Sequence, residues 1–219
     1  MISYFKSILG TSFFLFILLS SSSAQNTYRH FSIGIGAGQT STFTDFLHAD
    51  RKLFGYGVFD YYFSPYLNIG MEAQSGSISG HDDQNTSNFQ GDFQSLTFKG
   101  KLHVGELIRK PQRYIAARAS IGDKLVKGIY LGSGGGVFMI MNGINSSESY
   151  NNKELFIPAL GGIDMYMGAE SRLLLNLNYQ TNFLLGDKMD GSIRPGSHND
   201  LYQTISIGIS YTLGKLTYL

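Results

Sequence analysis

Six side chains that carry a charge, or can acquire one, stand where they could pair inside the protein. Glu72 lies in segment 67–76, and Lys99 and Lys101 lie in segment 94–104, the next segment of the same kind. If the two segments are neighbouring strands, the opposite charges should pair, because an unpaired buried charge costs several kcal/mol. The sequence therefore predicts ion pairs on one strand face, with these candidates: Asp60, Glu72, Lys99, Lys101, His103 and Asp164.

Histidines beside acids or a serine offer weaker candidates for chemistry. His81-Asp82-Asp83 and His198-Asn199-Asp200 contain metal-ligand residue types, but solvated loop residues are the favoured interpretation. His30 and Ser32 fall on one strand face and could form a base and nucleophile, yet no orienting acid can be assigned. We therefore predict no enzyme, no catalytic residue, no metal and no cofactor.

The elements that must position these residues are strands with two different faces. The last one, 201–213, alternates bulky apolar residues such as Ile205 and Ile207 with small polar ones such as Ser206. Successive side chains of a strand point to opposite faces, so one row is apolar and the other polar. We expect seven further strands, of which the second and fifth have the weaker patterns: 29–38, 54–63, 67–76, 94–104, 128–141, 155–167 and 172–185.

The connections between these strands differ in length. Short turns are expected at 64–66 and 168–171, and long polar loops at 39–53, 77–93, 142–154 and 186–200. Alternation of short turns and long loops, with an even number of two-faced strands, is typical of outer-membrane barrels. The sequence thus predicts an all-β fold, an eight-stranded antiparallel transmembrane β-barrel in up-and-down order. Its apolar rows face lipid, its polar rows face the lumen, and both chain ends lie in the periplasm.

Composition and the first residues agree with an exported barrel. Lys6 precedes the apolar run 8–19 and Ser22-Ser23-Ala24, so we expect a signal peptide at 1–24 and a barrel domain at 25–219. The chain has 27 glycines, 14 tyrosines, 16 phenylalanines and no cysteine, which excludes disulfides. A net charge of +1 gives no argument for a nucleic-acid partner.

Tyrosines near the predicted strand ends suit the aromatic girdles of a membrane barrel. Those expected at the girdles are Tyr61, Tyr62, Tyr66, Tyr130, Tyr166, Tyr202 and Tyr211.

A basic segment breaks the alternation of loop lengths. Residues 105–127 are long where a short periplasmic turn is due, and 105–128 carry six basic residues against Glu106 and Asp123. Three interpretations stay open: an amphipathic helix on the inner leaflet, a docking site for a periplasmic partner, and extensions of the flanking strands joined by a solvated turn. The basic residues are Arg109, Lys110, Arg113, Arg118, Lys124 and Lys127.

Three stretches, FSIGIGAG, FDYYFSPYLNIGMEAQSG and GISYTLGK, carry a resemblance to a known family. In these, and in its strand pattern, the chain resembles the small eight-stranded outer-membrane barrels of the OmpA/OmpX type. The resemblance implies the barrel-assembly machinery as a partner. The chain departs from the OmpA-type pattern in that it is expected to stop where the barrel closes, without the peptidoglycan-binding domain that often follows. The chain ends in Leu219 rather than the phenylalanine with which many such barrels end.

Four functions follow from these patterns. The favoured one is an integral protein of the outer membrane of a Gram-negative bacterium, with a plugged, ion-paired lumen and surface-exposed loops in a structural or surface-interaction role. Its partners would be outer-membrane lipid and a periplasmic or surface protein. The alternative is a narrow pore or an accessory of an outer-membrane transport or secretion assembly. An enzyme and a soluble β-sandwich binder come third and fourth.

Overall fold

The computed structural model describes residues 27–43, 48–49, 51–82, 87–108, 120–145, 148–167, 172–186, 200–214 and 217–218. The expected signal peptide at 1–24 lies outside these residues. Eight long strands dominate the described part of the chain. They are β1 Phe31–Phe43, β2 Lys52–Tyr62, β3 Leu67–Asp82, β4 Ser87–Leu102, β5 Ile129–Asn145, β6 Glu148–Met167, β7 Leu173–Leu184 and β8 Leu201–Leu213.

The eight strands form one closed antiparallel barrel. Each strand pairs with the next along the chain, β8 pairs back with β1 from Leu201↔Phe43 to Leu213↔Phe31, and β3 pairs directly with β4. Closure gives every strand two neighbours, so backbone amides in the hydrocarbon find partners without water. The predicted all-β, eight-stranded antiparallel barrel is confirmed.

Side chains alternate between the outside and the inside of the wall. On β8, Ile205, Ile207 and Ile209 are each more than half exposed, while Ser206 and Ser210 are buried in the lumen. The same alternation on β2 buries Asp60 and exposes Phe59, which fixes the phase that the sequence left weak. The apolar rows therefore form a continuous outer belt.

Strand ends define the two ends of the barrel. Thr27–Tyr28 and Thr217–Tyr218 pair in a separate two-stranded ladder next to the start of β1 and the end of β8, and the short β2–β3 turn lies at this same end. We call it the terminal end. The opposite end, which receives the connections β1–β2, β3–β4, β5–β6 and β7–β8, is the loop end.

Three of the predicted long loops are wrong in part. Segment 39–53 contains strand up to Phe43 and again from Lys52. Segment 77–93 contains strand up to Asp82 and again from Ser87, and segment 142–154 contains strand up to Asn145 and again from Glu148. These strands continue beyond the predicted bounds, and Ile78, Ser79 and Phe93 on them are still buried. Polar composition there indicated a loop, although polar residues can pair as strands as well.

Two short helices occupy the described parts of the basic segment. They are α1 Val104–Ile108 and α2 Ile121–Gly128, at the terminal end between β4 and β5. The interpretation as strand extensions is wrong for these residues. Arg109, Lys110, Arg113 and Arg118 lie outside the described residues, whereas Lys124 and Lys127 lie on α2. Among the described helices, none has the length and apolar content to cross a bilayer.

Candidate functional site

The half of the lumen nearer the terminal end holds the six residues that the sequence analysis singled out for pairing. Lys99 Nζ on β4 contacts Glu72 Oε2 on the neighbouring strand β3. Gln74 Nε2 donates a hydrogen bond of 2.8 Å to Glu72 Oε1, and Ser95 Oγ donates to Gln74 Oε1 at 3.3 Å. Both oxygens of the Glu72 carboxylate thus have partners on the lumen wall.

A second ion pair lies closer to the terminal end. Lys101 Nζ is 3.1 Å from Asp60 Oδ2, and it also lies 5.2 Å from the centroid of the Tyr130 ring. An ammonium group at this distance from an aromatic face gains a further electrostatic attraction. The lysine is therefore held between a carboxylate and a π-face.

The third pair joins His103 to Asp164. His103 Nε2 lies 3.1 Å from Asp164 Oδ2, and Asn176 Nδ2 donates to Asp164 Oδ1. Asn176 Nδ2 also lies 3.0 Å from the Tyr130 hydroxyl, which donates to Asn178 Oδ1 at 3.0 Å. The polar side chains of β5, β6 and β7 thus form one network.

All six sequence candidates face the lumen and are at most 5% exposed. The structure brings them together as three pairs on the inner wall. Moving a charged group out of water costs several kcal/mol, so such residues persist in a fold only when paired and hydrogen-bonded. The arrangement fills this half of the lumen with charged and polar side chains that have partners on nearby strands.

The half of the lumen nearer the loop end is aromatic. Phe93 and Phe138 stack with centroids 5.5 Å apart, Tyr202 lies 4.9 Å from Phe138 and 5.8 Å from Phe156, and Phe54 lies 6.4 Å from Phe93. These five residues come from five different strands, and each is at most 4% exposed. We call them the aromatic layer. It spans the lumen from β4 to β8.

Sequence reasoning missed the aromatic layer, although two signals pointed to it. Tyr202 stands in the same alternating row of β8 as Ser206 and therefore had to face inward. Glycines supply the second signal: a Cβ added at Gly38 would overlap the Phe54 ring, and one added at Gly136 would overlap the Phe156 ring. Small inward residues opposite large ones are how a narrow barrel accommodates rings.

Several girdle tyrosines are placed wrongly by the sequence argument. Tyr62, Tyr130 and Tyr202 are at most 2% exposed and lie inside the lumen, whereas Tyr211 faces outward at 40%. Nearness to a strand end was the only criterion used, and it ignored the alternation of faces. Position along the strand says nothing about which face a side chain occupies.

The catalytic and metal candidates gain no supporting geometry. Ser32 has no exposed surface, so a substrate could not reach its hydroxyl. His30 lies with Nδ1 3.2 Å from the Tyr62 carbonyl oxygen and stacks on Tyr61. His81 and Asp82 belong to the loop end of β3, and residues 83, 198 and 199 lie outside the described ones. Within the described ranges, no three His, Cys, Asp or Glu residues group as metal ligands.

Comparison with known proteins rests on structure alone, since no family model matches the sequence and no curated protein is similar to it. Neisserial surface protein A (NspA) superposes with a TM-score of 0.51 at 9% identity, over 84% of this chain and 97% of that chain. The chain has the fold of a small outer-membrane β-barrel. Ail, the attachment invasion locus protein of Yersinia pestis, solved with the heparin analogue sucrose octasulfate, gives 0.50 at 11% identity over 85% and 100%.

The outer surface of this barrel is apolar, as expected for a wall that faces lipid. Large apolar side chains are more than half exposed around the wall, and in water such a surface would associate. In a bilayer the same surface meets acyl chains. A closed wall with this belt places the protein in the outer membrane of a Gram-negative bacterium, as the sequence predicted. The belt includes Ile33, Ile35, Phe98, Leu131, Leu155, Ile205, Ile207 and Ile209.

Proposed function

We propose that this protein is a plugged outer-membrane barrel that works through its membrane anchorage and its surface-exposed segments and does not conduct solutes. The observation that carries the proposal is the content of the lumen. Two buried ion pairs and the hydrogen-bonded His103–Asp164 pair lie in the half nearer the terminal end, and the aromatic layer lies in the half nearer the loop end. An eight-stranded barrel is just wide enough for its side chains to fill it.

The proposal includes an orientation and an export route. Outer-membrane barrels have short turns on the periplasmic side, and the described turn at Phe63–Tyr66 is short and self-bonded, with Ser64 Oγ accepting from Leu67 N at 3.1 Å. The terminal end would then face the periplasm and the loop end the cell exterior. Residues 1–24 would be removed as a signal peptide, so N-terminal sequencing of the membrane form should begin at Gln25.

A barrel that transports no solute would act through contacts made by its surface-exposed segments. The connection between Leu184 and Leu201, together with the strand extensions of β3 to β6, would present polar residues to the outside. The barrel-assembly machinery would insert the chain, and a surface or periplasmic protein would be its later partner. Because its lumen would be filled with side chains, the barrel would not bind a substrate inside it.

The test is conductance across planar lipid bilayers. The purified mature barrel should show no stable open conductance. A variant that combines Phe93→Ala/Phe138→Ala/Tyr202→Ala with Glu72→Ala/Lys99→Ala should conduct, because it removes the centre of the aromatic layer and an ion pair of the other half. The control keeps the Glu72→Ala/Lys99→Ala change and removes two phenylalanines and a tyrosine from the lipid face instead, as Phe98→Ala/Phe183→Ala/Tyr211→Ala, and should stay closed.

Folding of each variant is checked on gels, because a closed barrel migrates differently before and after boiling. Stable conductance by the unmodified protein would favour the narrow pore over the plugged barrel. An unshifted band, or release of the protein into the soluble periplasmic fraction, would reject the barrel placement itself.

A further inference from the structure

The two helices at the terminal end are fixed tightly on one side. A Cβ added at Gly105 on α1 would overlap the Val126 carbonyl of α2, and one at Gly128 would overlap the Asp164 carbonyl of β6. Lys127, which precedes Gly128 in α2, is 7% exposed. The helices are therefore held by backbone contact with each other and with the barrel wall.

The opposite side of the same helices is apolar and uncovered. Ile108 and Ile121 are each 73% exposed, Leu107 is 50% exposed and Leu125 38% exposed. Ile121 and Leu125 stand four residues apart, so they share one face of α2. Four large apolar side chains on thirteen described helical residues form an interaction surface rather than a solvated one.

This surface is continuous with the lipid-facing belt. Helix α2 runs directly into β5, whose first outward residues are Ile129 and Leu131, 37% and 58% exposed. A side chain on α2 thus stands at the edge of the hydrocarbon region, at the depth of the headgroups. Lipid contacts the belt, and the same lipid layer lies next to the apolar side of the helices.

Charge favours the same occupant. Residues 105–128 carry six basic side chains against two acidic ones, and four of the basic ones fall in the sequence between α1 and α2. An apolar helix face joined to basic residues is the composition of interfacial helices, and basic residues near a bilayer are attracted to anionic headgroups.

We infer that α1 and α2 form an interfacial anchor that lies on the anionic phospholipid of the leaflet at the terminal end, with Leu107, Ile108, Ile121 and Leu125 inserted among the headgroups. This inference rests on the proposed placement of the barrel in the membrane. The anchor would fix the depth and tilt of the barrel at that end.

The protein contains no tryptophan, which allows a direct test. Single variants Ile108→Trp and Ile121→Trp are reconstituted in vesicles of phosphatidylcholine and phosphatidylglycerol, with bromine on the acyl chains either near the headgroup or near the bilayer centre. Both should show blue-shifted emission that is quenched more strongly by the shallow bromine. Omission of phosphatidylglycerol, or added salt, should weaken the quenching.

Two further variants separate the possible failures. Ile207→Trp in the belt should be quenched whenever the barrel is inserted, and Gln90→Trp on the strand extension at the loop end should keep the emission of a hydrated indole. If Ile207→Trp is quenched while both helix variants behave like Gln90→Trp, the anchor is wrong and the surface is left to a protein partner. If Ile207→Trp is not quenched, the barrel placement fails and the anchor fails with it.

Discussion

Lys101 Nζ and Asp60 Oδ2 form their 3.1 Å ion pair across an intervening strand. Asp60 lies on β2 and Lys101 on β4, so the bond passes over β3 at Gly70, where a side chain would overlap the Asp60 carboxylate. His103 and Asp164 are related in the same way, from the end of β4 to β6 across β5. These bonds add transverse links to the wall beyond those of the backbone ladder.

Separation of a buried pair should be costly at either partner. Lys99→Met would leave the Glu72 carboxylate buried without its cation and should lower the free energy of unfolding by about 3–5 kcal/mol. Glu72→Met should do the same, whereas the double variant should lie close to the unmodified protein. The measurement is urea unfolding of the folded barrel in vesicles, followed by circular dichroism and by the gel shift.

Lys153→Met is the matched control, because Lys153 faces outward and is exposed. Its free energy of unfolding should stay within about 0.5 kcal/mol of the parent. Single lumen variants that unfold like this control would show that the pair contributes nothing to stability.

Steric fit between Tyr56 and Gly208 gives a second prediction. Gly208→Ala should cost about 1–3 kcal/mol because the new methyl group overlaps the Tyr56 hydroxyl. The cost should fall in a Tyr56→Phe background, and part should remain because the Ile35 carbonyl is also close. Gly57→Ala, whose Cβ points outward into open space, should change stability by less than about 0.5 kcal/mol. Equal costs of Gly208→Ala with and without the Tyr56→Phe substitution would exclude this contact as the cause.

Glu106 on α1 gives a pH dependence. Burial raises the pKa of Glu106 above its ordinary 4.5, against the opposing effect of the Lys127 and His103 charges. Between the ordinary and the raised pKa, the folded protein keeps a proton that the unfolded chain has lost, so the free energy of unfolding falls as the pH rises through that window. Below the window the destabilisation is absent.

Glu106→Gln should therefore be more stable than the unmodified protein at neutral pH, and the difference should shrink as the solution is acidified below the ordinary pKa. Urea midpoints over a series of pH values measure this. A variant that is less stable at neutral pH would mean that the ionised carboxylate is held favourably by Lys127.

Orientation can be read from single cysteines, since the chain has none. Arg51→Cys, directly before β2 at the loop end and exposed, should react with a membrane-impermeant maleimide on intact cells. Ser64→Cys, in the turn at the terminal end, should react only after the outer membrane is permeabilised. The reverse pattern would invert the proposed orientation.

The predictable part of the structure depends on local rules. Alternation in β8 was enough to assign Ile205 and Ser206 to opposite faces, and the hairpin of β3 and β4 was enough to bring Glu72 near Lys99. The pair Lys101–Asp60 could not be derived in this way, because it depends on how the closed wall curves around β3. Curvature is a property of all eight strands together.

The aromatic layer shows a different limit. The alternation of faces on β8 places Tyr202 in the inward row. A uniformly polar lumen was expected, however, so Tyr202 was assigned to an aromatic girdle instead. A barrel interior too narrow for a water column is filled by whatever side chains fit, and rings fill volume at little cost in conformational entropy. The polarity of the inward side chains therefore did not indicate what fills the lumen. A comparison of their volumes with the width of the barrel would have done so.

The ladder at the terminal end pairs Thr27 with Tyr218 and Tyr28 with Thr217. The two extremities of the barrel sequence thus lie side by side, and the wall is almost a ring in sequence as well as in space. A short peptide joining them would need little loop-closure entropy, and the chain could then be opened at the Ser64–Tyr66 turn. Such a circular permutant is expected to keep every strand pairing of the wall, and its folding would show that the cyclic order of the strands matters and not which strand is made first.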